Sequence, residues 1–125
     1  MTQATGIGGV FLRAADPEKL YAWYEEHLGI KRTEDGAFAF FSEGPREMTI
    51  LAFFPQDTKY FGPGGQHSML NFRVDDLDAV LDKLRAAGAE IDPKQEEADF
   101  GRFAWFKDPE GNRVELWETP KTPAA

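Results

Sequence analysis

The chain has 125 residues, a formal net charge of −8 and no cysteine, which excludes thiolate zinc sites, disulfide scaffolds and a cysteine nucleophile. That charge, with no basic block, argues against nucleic acid and anionic membrane as partners, because both attract positive surfaces. With 42% hydrophobic residues, 11 Phe, three Trp and three Tyr, one packed domain over 1–125 is expected rather than a disordered chain.

In chain order, Gly9–Ala14 predicts a strand. Asp16 is a helix N-cap, and Pro17 follows at the first helical position, where its missing N–H costs nothing. Leu20, Tyr21, Tyr24 and Leu28 recur at helical spacing, and Gly29 is the stop signal. Ile30–Thr33 is a short strand candidate. Ala37–Phe41 and Met48–Phe54 are strands, with Ser42–Glu47 as their hairpin connection. The segment Phe54 to Pro63 either closes over a ligand or is a linker anchored by Tyr60 and Phe61. Gly62-Pro63-Gly64-Gly65 is a turn or linker signal.

A second strand–helix unit follows. Asp75 or Asp76 caps a helix whose apolar face is Leu77, Val80, Leu81 and Leu84, and Gly88 ends it. Ala89–Ile91 is a short strand candidate. Glu96, Glu97 and Asp99 read as a solvated acidic loop, or as a carboxylate aimed at a cationic ligand or serving as a general base. Phe103–Phe106 and Arg113–Glu118 are the last strands. Asp108-Pro109-Glu110-Gly111 gives their connection, Lys107–Asn112, its turn chemistry.

The chain also repeats itself. Gly9–Tyr24 aligns with Met69–Leu84 at an offset of 60, and Gly36–Pro55 with Gly101–Pro120 at an offset of 65. Two related modules follow, 7–60 and 67–119, with 120–125 as a tail.

Two strand–helix–strands modules, the second running Arg73-Val74-Asp75-Asp76-Leu77-Asp78 into a helix and ending Phe106-Lys107-Asp108-Pro109-Glu110-Gly111-Asn112-Arg113-Val114-Glu115-Leu116, resemble the vicinal oxygen chelate superfamily. Asp16-Pro17, Trp23-Tyr24 and Leu28-Gly29 carry the same resemblance in module one. Glyoxalase I, bleomycin resistance proteins and extradiol dioxygenases share that fold. The resemblance implies an α+β fold in which two βαβββ modules form a curved mixed sheet of half-barrels. Helices cover the convex face, and a ligand sits in the concave one.

The resemblance also implies where a metal would be held, on the first and last strands of each module. Those positions are Gly9, Ile50 (or Leu51, with a one-residue slip), Met69 and Glu115. Gly and Ile carry no donor, and a Met thioether is a poor ligand for oxygen- and imidazole-loving ions. No metal or other cofactor is therefore expected. The alternative is a divalent ion at a fallback pair, His67 and Glu115, should the strand extend far enough for His67 to share the face of Met69.

Strand alternation gives a provisional cavity lining of Phe11, Arg13, Phe38, Phe40, Ile50, Met69, Asn71, Arg73, Phe103, Trp105, Glu115 and Trp117. Apolar walls with sparse polar groups suit a small-molecule pocket. Arg13 and Arg73 also have a plainer reading, pairing with Asp16 and Asp76, and Glu115 one of pairing with Arg113 or Arg73.

Two functions follow. The first is binding of a small aromatic or cationic compound without chemistry, as the resemblance to bleomycin resistance proteins implies. The second is a glyoxalase-like lyase, isomerase or dioxygenase with Glu115 as the catalytic base, with or without a metal at His67. A homodimer is implied by the resemblance, with the modules pairing within or between chains. No apolar run approaches the roughly 20 residues of a membrane span. The opening MTQATGIGG has no basic-then-apolar leader pattern, and a cytoplasmic location is expected.

Overall fold

The computed structural model describes residues 3–41 and 48–120. The elements run β1 (Ala4–Ala14), α1 (Pro17–Leu28), β2 (Phe38–Phe41), β3 (Met48–Pro55), β4 (Ser68–Val74), α2 (Leu77–Ala86), β5 (Glu90–Ala98), β6 (Gly101–Lys107) and β7 (Arg113–Glu118). They form one mixed seven-stranded sheet in the order β2-β3-β1-β4-β7-β6-β5 with two helices, an α+β architecture.

Each half repeats one plan. A first strand pairs in parallel with the last strand of its own half, β1 with β3 and β4 with β7. The halves join where β1 runs antiparallel to β4, with Val10 opposite Leu70. The two half-sheets therefore meet within one chain.

The helices form where capping chemistry places them. The Asp16 side chain accepts from Lys19 N at 3.1 Å, and Gly29 closes α1 in the left-handed conformation at φ 69°. The Asp76 side chain accepts from Ala79 N in the same way at the start of α2. Under α1, Tyr21, Phe38 and Phe53 pack with Ala14. Under α2, Leu77, Val80 and Leu81 pack with Val74, Ala104 and Leu116. Each buried Val, Leu or Phe among them contributes about 1.5–3 kcal/mol against exposure. A third cluster, Phe11, Ala52, Phe61, Met69, Phe103, Trp105 and Trp117, lies on the concave face.

Three expected elements are corrected. Ile30–Thr33 makes only an isolated bridge, Arg32 to Phe38. The short strand expected at Ala89–Ile91 is longer: β5 starts at Glu90, runs nine residues and carries Glu96 and Glu97 on an edge strand, while Asp99 lies in the turn that follows. The Pro93 and charges of β5 are residues an exposed edge tolerates and uses against further pairing. The expected connection Ser42–Glu47 lies outside the described residues.

The third correction concerns parity. Phe38 and Phe40 are expected on the concave face together with Phe103 and Trp105, because Phe41 and Phe106 read as core partners of the turns. Phe38 pairs with Leu51, whereas Phe103 pairs with Trp117, the counterpart of Ala52 at the offset of 65. The two hairpins thus differ by one residue in register, and one residue turns every side chain of a strand to the other face. Phe38 is fully buried against Tyr21 beneath α1, Phe40 is exposed, and Ala39 and Phe41 reach the concave side instead.

Candidate functional site

The concave face encloses a cavity of about 660 Å³. Phe11 on β1, Ile50, Ala52 and Phe54 on β3, Asn71 on β4, Phe103 on β6, and Glu115 and Trp117 on β7 form its wall. Phe41, Phe100 and the turn Thr33–Gly36 form further parts of the lining. Alternation places these side chains together, since each occupies the strand position that points away from the helices.

Glu115 is the polar centre. It is a register partner of Asn71 on one side and Trp105 on the other. Asn71 Nδ2 donates to its Oε1 at 2.5 Å, and Trp105 Nε1 donates to its Oε2 at 2.8 Å. The Tyr60 hydroxyl, from the segment between the modules, donates to the same Oε2. All three partners are neutral. Glu115 is 1% exposed, and burial pushes its carboxyl above the ordinary carboxylate range although the three hydrogen bonds pull it down. Burial, then the adjacent Glu115, push the Tyr60 hydroxyl well up, so Tyr60 keeps its proton and acts as the donor.

Tyr60 was read from sequence only as an anchor or a lid. Phe61 is the anchor, fully buried in the concave cluster, and Tyr60 is the residue that reaches the carboxylate. Arg13 holds this segment. Its guanidinium donates to the carbonyls of Gln56 at 2.7 Å, Thr58 at 2.9 Å and Gln66 at 2.8 Å. Gln66 in turn bridges Arg113 O and Ser68 O.

Arg13 is therefore not part of the cavity lining, which corrects its expected placement. It does not pair with Asp16 either. Arg73 is also corrected: its guanidinium donates to the carbonyls of Ile7 at 2.7 Å and Met48 at 2.5 Å. Arg113 pairs with Asp92 at 2.9 Å, so neither arginine is the partner of Glu115. Met69 and Trp105 lie behind the wall, fully buried in the apolar cluster, with Trp105 touching the site through its indole N–H. Gly8, Glu34, Asp35, Phe41 and Phe100 line the cavity without having been read from sequence. Glu34 and Asp35 sit in a turn that Arg32 fastens, through Gly36 O at 2.9 Å and a two-pronged pair with Glu18 at 3.0 Å. No periodicity marks a turn residue as cavity-lining.

The residues present do not fit a divalent ion. Gly9 and Ile50 face one another across β1 and β3 without a donor side chain, and Met69 is packed among aromatics. His67 is exposed and precedes β4, so the fallback pair with Glu115 does not form. Among the described residues no three His, Cys, Asp or Glu gather as a metal set.

Residues 6–116 match the family described as the Glyoxalase/Bleomycin resistance protein/Dioxygenase superfamily. The chain belongs to that superfamily. Among curated proteins no relative matches. Solved structures of the superfamily fold do. A methylmalonyl-CoA epimerase in complex with methylmalonyl-CoA and NH4+ superposes with a TM-score of 0.74 at 14% identity, covering 98% of this chain and 100% of that one. Methylmalonyl-CoA epimerase from Mycobacterium tuberculosis gives 0.64 at 24% identity, covering 96% and 91%. A Legionella pneumophila structure described as NAD-dependent benzaldehyde dehydrogenase gives 0.60 at 18% identity, covering 90% and 98%. At these identities the likeness establishes the fold, and the unlike names show how little the fold says of the reaction.

Proposed function

We propose that this member of the superfamily binds a small aromatic compound that carries a positive charge, and that it does so without a metal. One observation carries the reading. Among the described residues, every charged side chain of the cavity lining is a carboxylate: Glu34, Asp35 and Glu115. Glu34 and Asp35 are exposed and Glu115 is buried, and a cleft lined by one sign of charge between apolar walls raises the local concentration of cations and repels anions. Phe11, Phe103 and Trp117 supply aromatic walls on which a flat cation gains further. The same electrostatics speak against an acyl-CoA, whose phosphates would meet carboxylates in a lining that, among the described residues, offers no cationic side chain. A homodimer and a cytoplasmic location belong to the same reading, supported by the superfamily resemblance and the cysteine-free composition.

Thermal-shift titration with matched cationic, neutral and anionic naphthalene derivatives tests the reading. Stabilisation by the cations alone is expected. Equal or greater stabilisation by the anions would overturn it.

A second reading is a proton-abstracting lyase or isomerase, favoured by the buried, upward-shifted carboxyl of Glu115 on the cavity wall, since a higher pKa makes a carboxylate a stronger base. Proton–deuterium exchange at carbon next to a carbonyl, followed by NMR over a panel of small ketones, tests it. Exchange lost in Glu115→Gln supports this reading, and no exchange above buffer rejects it.

A further inference from the structure

The floor of the cavity holds an acceptor with nothing to accept. Asn71 is 1% exposed and lines the cavity, and its Oδ1 has no hydrogen-bond partner. Leaving a buried acceptor unpaired is costly, so its orientation needs a reason. The amide is turned by Glu115, which takes the Nδ2 donor. Its oxygen then occupies the space over Gly8, where any Cβ would overlap it. Glycine at residue 8 is what leaves room for the amide oxygen on the cavity wall.

Glu115 beside it is also under-used. Two carboxylate oxygens offer about four acceptor sites. Three are filled, by Asn71 on Oε1 and by Tyr60 and Trp105 on Oε2. One site on Oε1 remains, next to the orphaned amide oxygen. The Tyr60 hydroxyl and the Trp105 indole already act as donors, so beyond the second N–H of Asn71 Nδ2 the free capacity of the floor consists of acceptors.

We infer that Glu115 and Asn71 together form a subsite for a head group that is both positively charged and rich in N–H donors, a primary or secondary ammonium, on the aromatic ligand. The inference rests on the cation reading above and narrows it. A quaternary ammonium has the charge but no N–H, and leaves Asn71 Oδ1 unpaired. A neutral alcohol offers a single donor and no charge.

Isothermal titration calorimetry of the full chain with three probes decides the matter: 2-(1-naphthyl)ethylamine, its N,N,N-trimethyl salt and 2-(1-naphthyl)ethanol. The amine is expected to bind about tenfold or more tighter than the trimethyl salt, the worth of one charge-assisted hydrogen bond. Asn71→Ala is expected to shrink that advantage. Trimethyl salt binding as tightly as the amine, both ahead of the alcohol, would overturn the subsite while sparing the cation reading. No preference of either cation over the alcohol, or no binding of any probe, would overturn both. An amine advantage left intact in Asn71→Ala would remove Asn71 from the subsite.

Discussion

Asn71 and Glu115 are register partners across β4 and β7, and the Asn71 amide donates to the Glu115 carboxylate over 2.5 Å. Trp105 flanks the same carboxylate from β6, and Tyr60 reaches it from the segment between the modules. A row of three strands and one strap thus surrounds a buried carboxyl with neutral donors alone. The properties expected of the cavity follow from that row.

The Glu115 carboxyl makes stability depend on pH. Burial holds it above its ordinary value, and Glu96 adds to the rise, against the pull of Tyr60, Asn71 and Trp105. The unfolded chain therefore releases this proton at lower pH than the folded protein does. The stabilising contribution of protonated Glu115 is complete below the ordinary carboxyl range and is lost as pH rises through the folded value. Glu115→Gln cannot titrate, so its Tm relative to wild type is expected to climb through that window and then level off. Differential scanning calorimetry from about pH 4 to about pH 9 checks this; a difference that stays flat with pH would contradict it.

A bound cation favours the ionised carboxylate. Binding of an aromatic amine is therefore expected to release protons in the window where the empty site holds Glu115 protonated, and to tighten as pH rises. Calorimetric titration in two buffers of different ionisation enthalpy reads the proton count. Identical apparent enthalpies in both buffers would mean that Glu115 does not titrate with the ligand.

Gly8 leaves room for the amide of Asn71. A Cβ at residue 8 would overlap Asn71 Oδ1 and come within 3.0 Å of Trp117 Cε3. Gly8→Ala is expected to cost about 1–3 kcal/mol through overpacking, and to weaken amine binding by displacing Asn71. Urea denaturation gives the first quantity. An unchanged midpoint would mean the amide oxygen does not sit over residue 8.

Much of the fold was legible in the sequence because its signals are local. Asp16-Pro17 and Gly29 mark one helix, Asp76 and Gly88 mark the other, and the internal repeat assigns the same plan to both halves. Phe11, Ile50, Asn71, Phe103, Glu115 and Trp117 reached the cavity wall as alternation dictates. Phe38 and Phe40 did not, because an ungapped repeat conceals a one-residue difference in hairpin register. Arg13 and Arg73 share the parity of cavity residues yet turn to backbone carbonyls, and alternation does not say how far a long side chain bends. Glu34, Asp35 and Tyr60 enter from loops, where no period operates.

The register difference has its own test. Phe38 is fully buried, whereas Phe40 is 44% exposed. Phe38→Ala is expected to cost about 3–5 kcal/mol, and Phe40→Ala within about 1 kcal/mol. Equilibrium denaturation of the two variants compares them directly, and the reverse order would restore the parity that the repeat alone suggests.

Arg13 ties three carbonyls of the segment that carries Tyr60. Arg13→Met keeps the aliphatic stem and removes the donors. A loss of about 1–3 kcal/mol is expected, with faster proteolytic cleavage between residues 56 and 66. Cleavage at the wild-type rate would show that Phe61 alone holds the segment.

The charge preference of the cavity is tested most directly by calorimetric titration with one matched pair, 2-(1-naphthyl)ethylamine and 1-naphthylacetate, on wild type and Glu115→Gln. The amine is expected to bind about tenfold or more tighter than the acetate, with most of that margin lost in the variant, since a desolvated charge pair is worth about 2 kcal/mol or more. Acetate binding equal to or tighter than the amine, or an amine margin untouched by Glu115→Gln, would contradict a cation site built on Glu115.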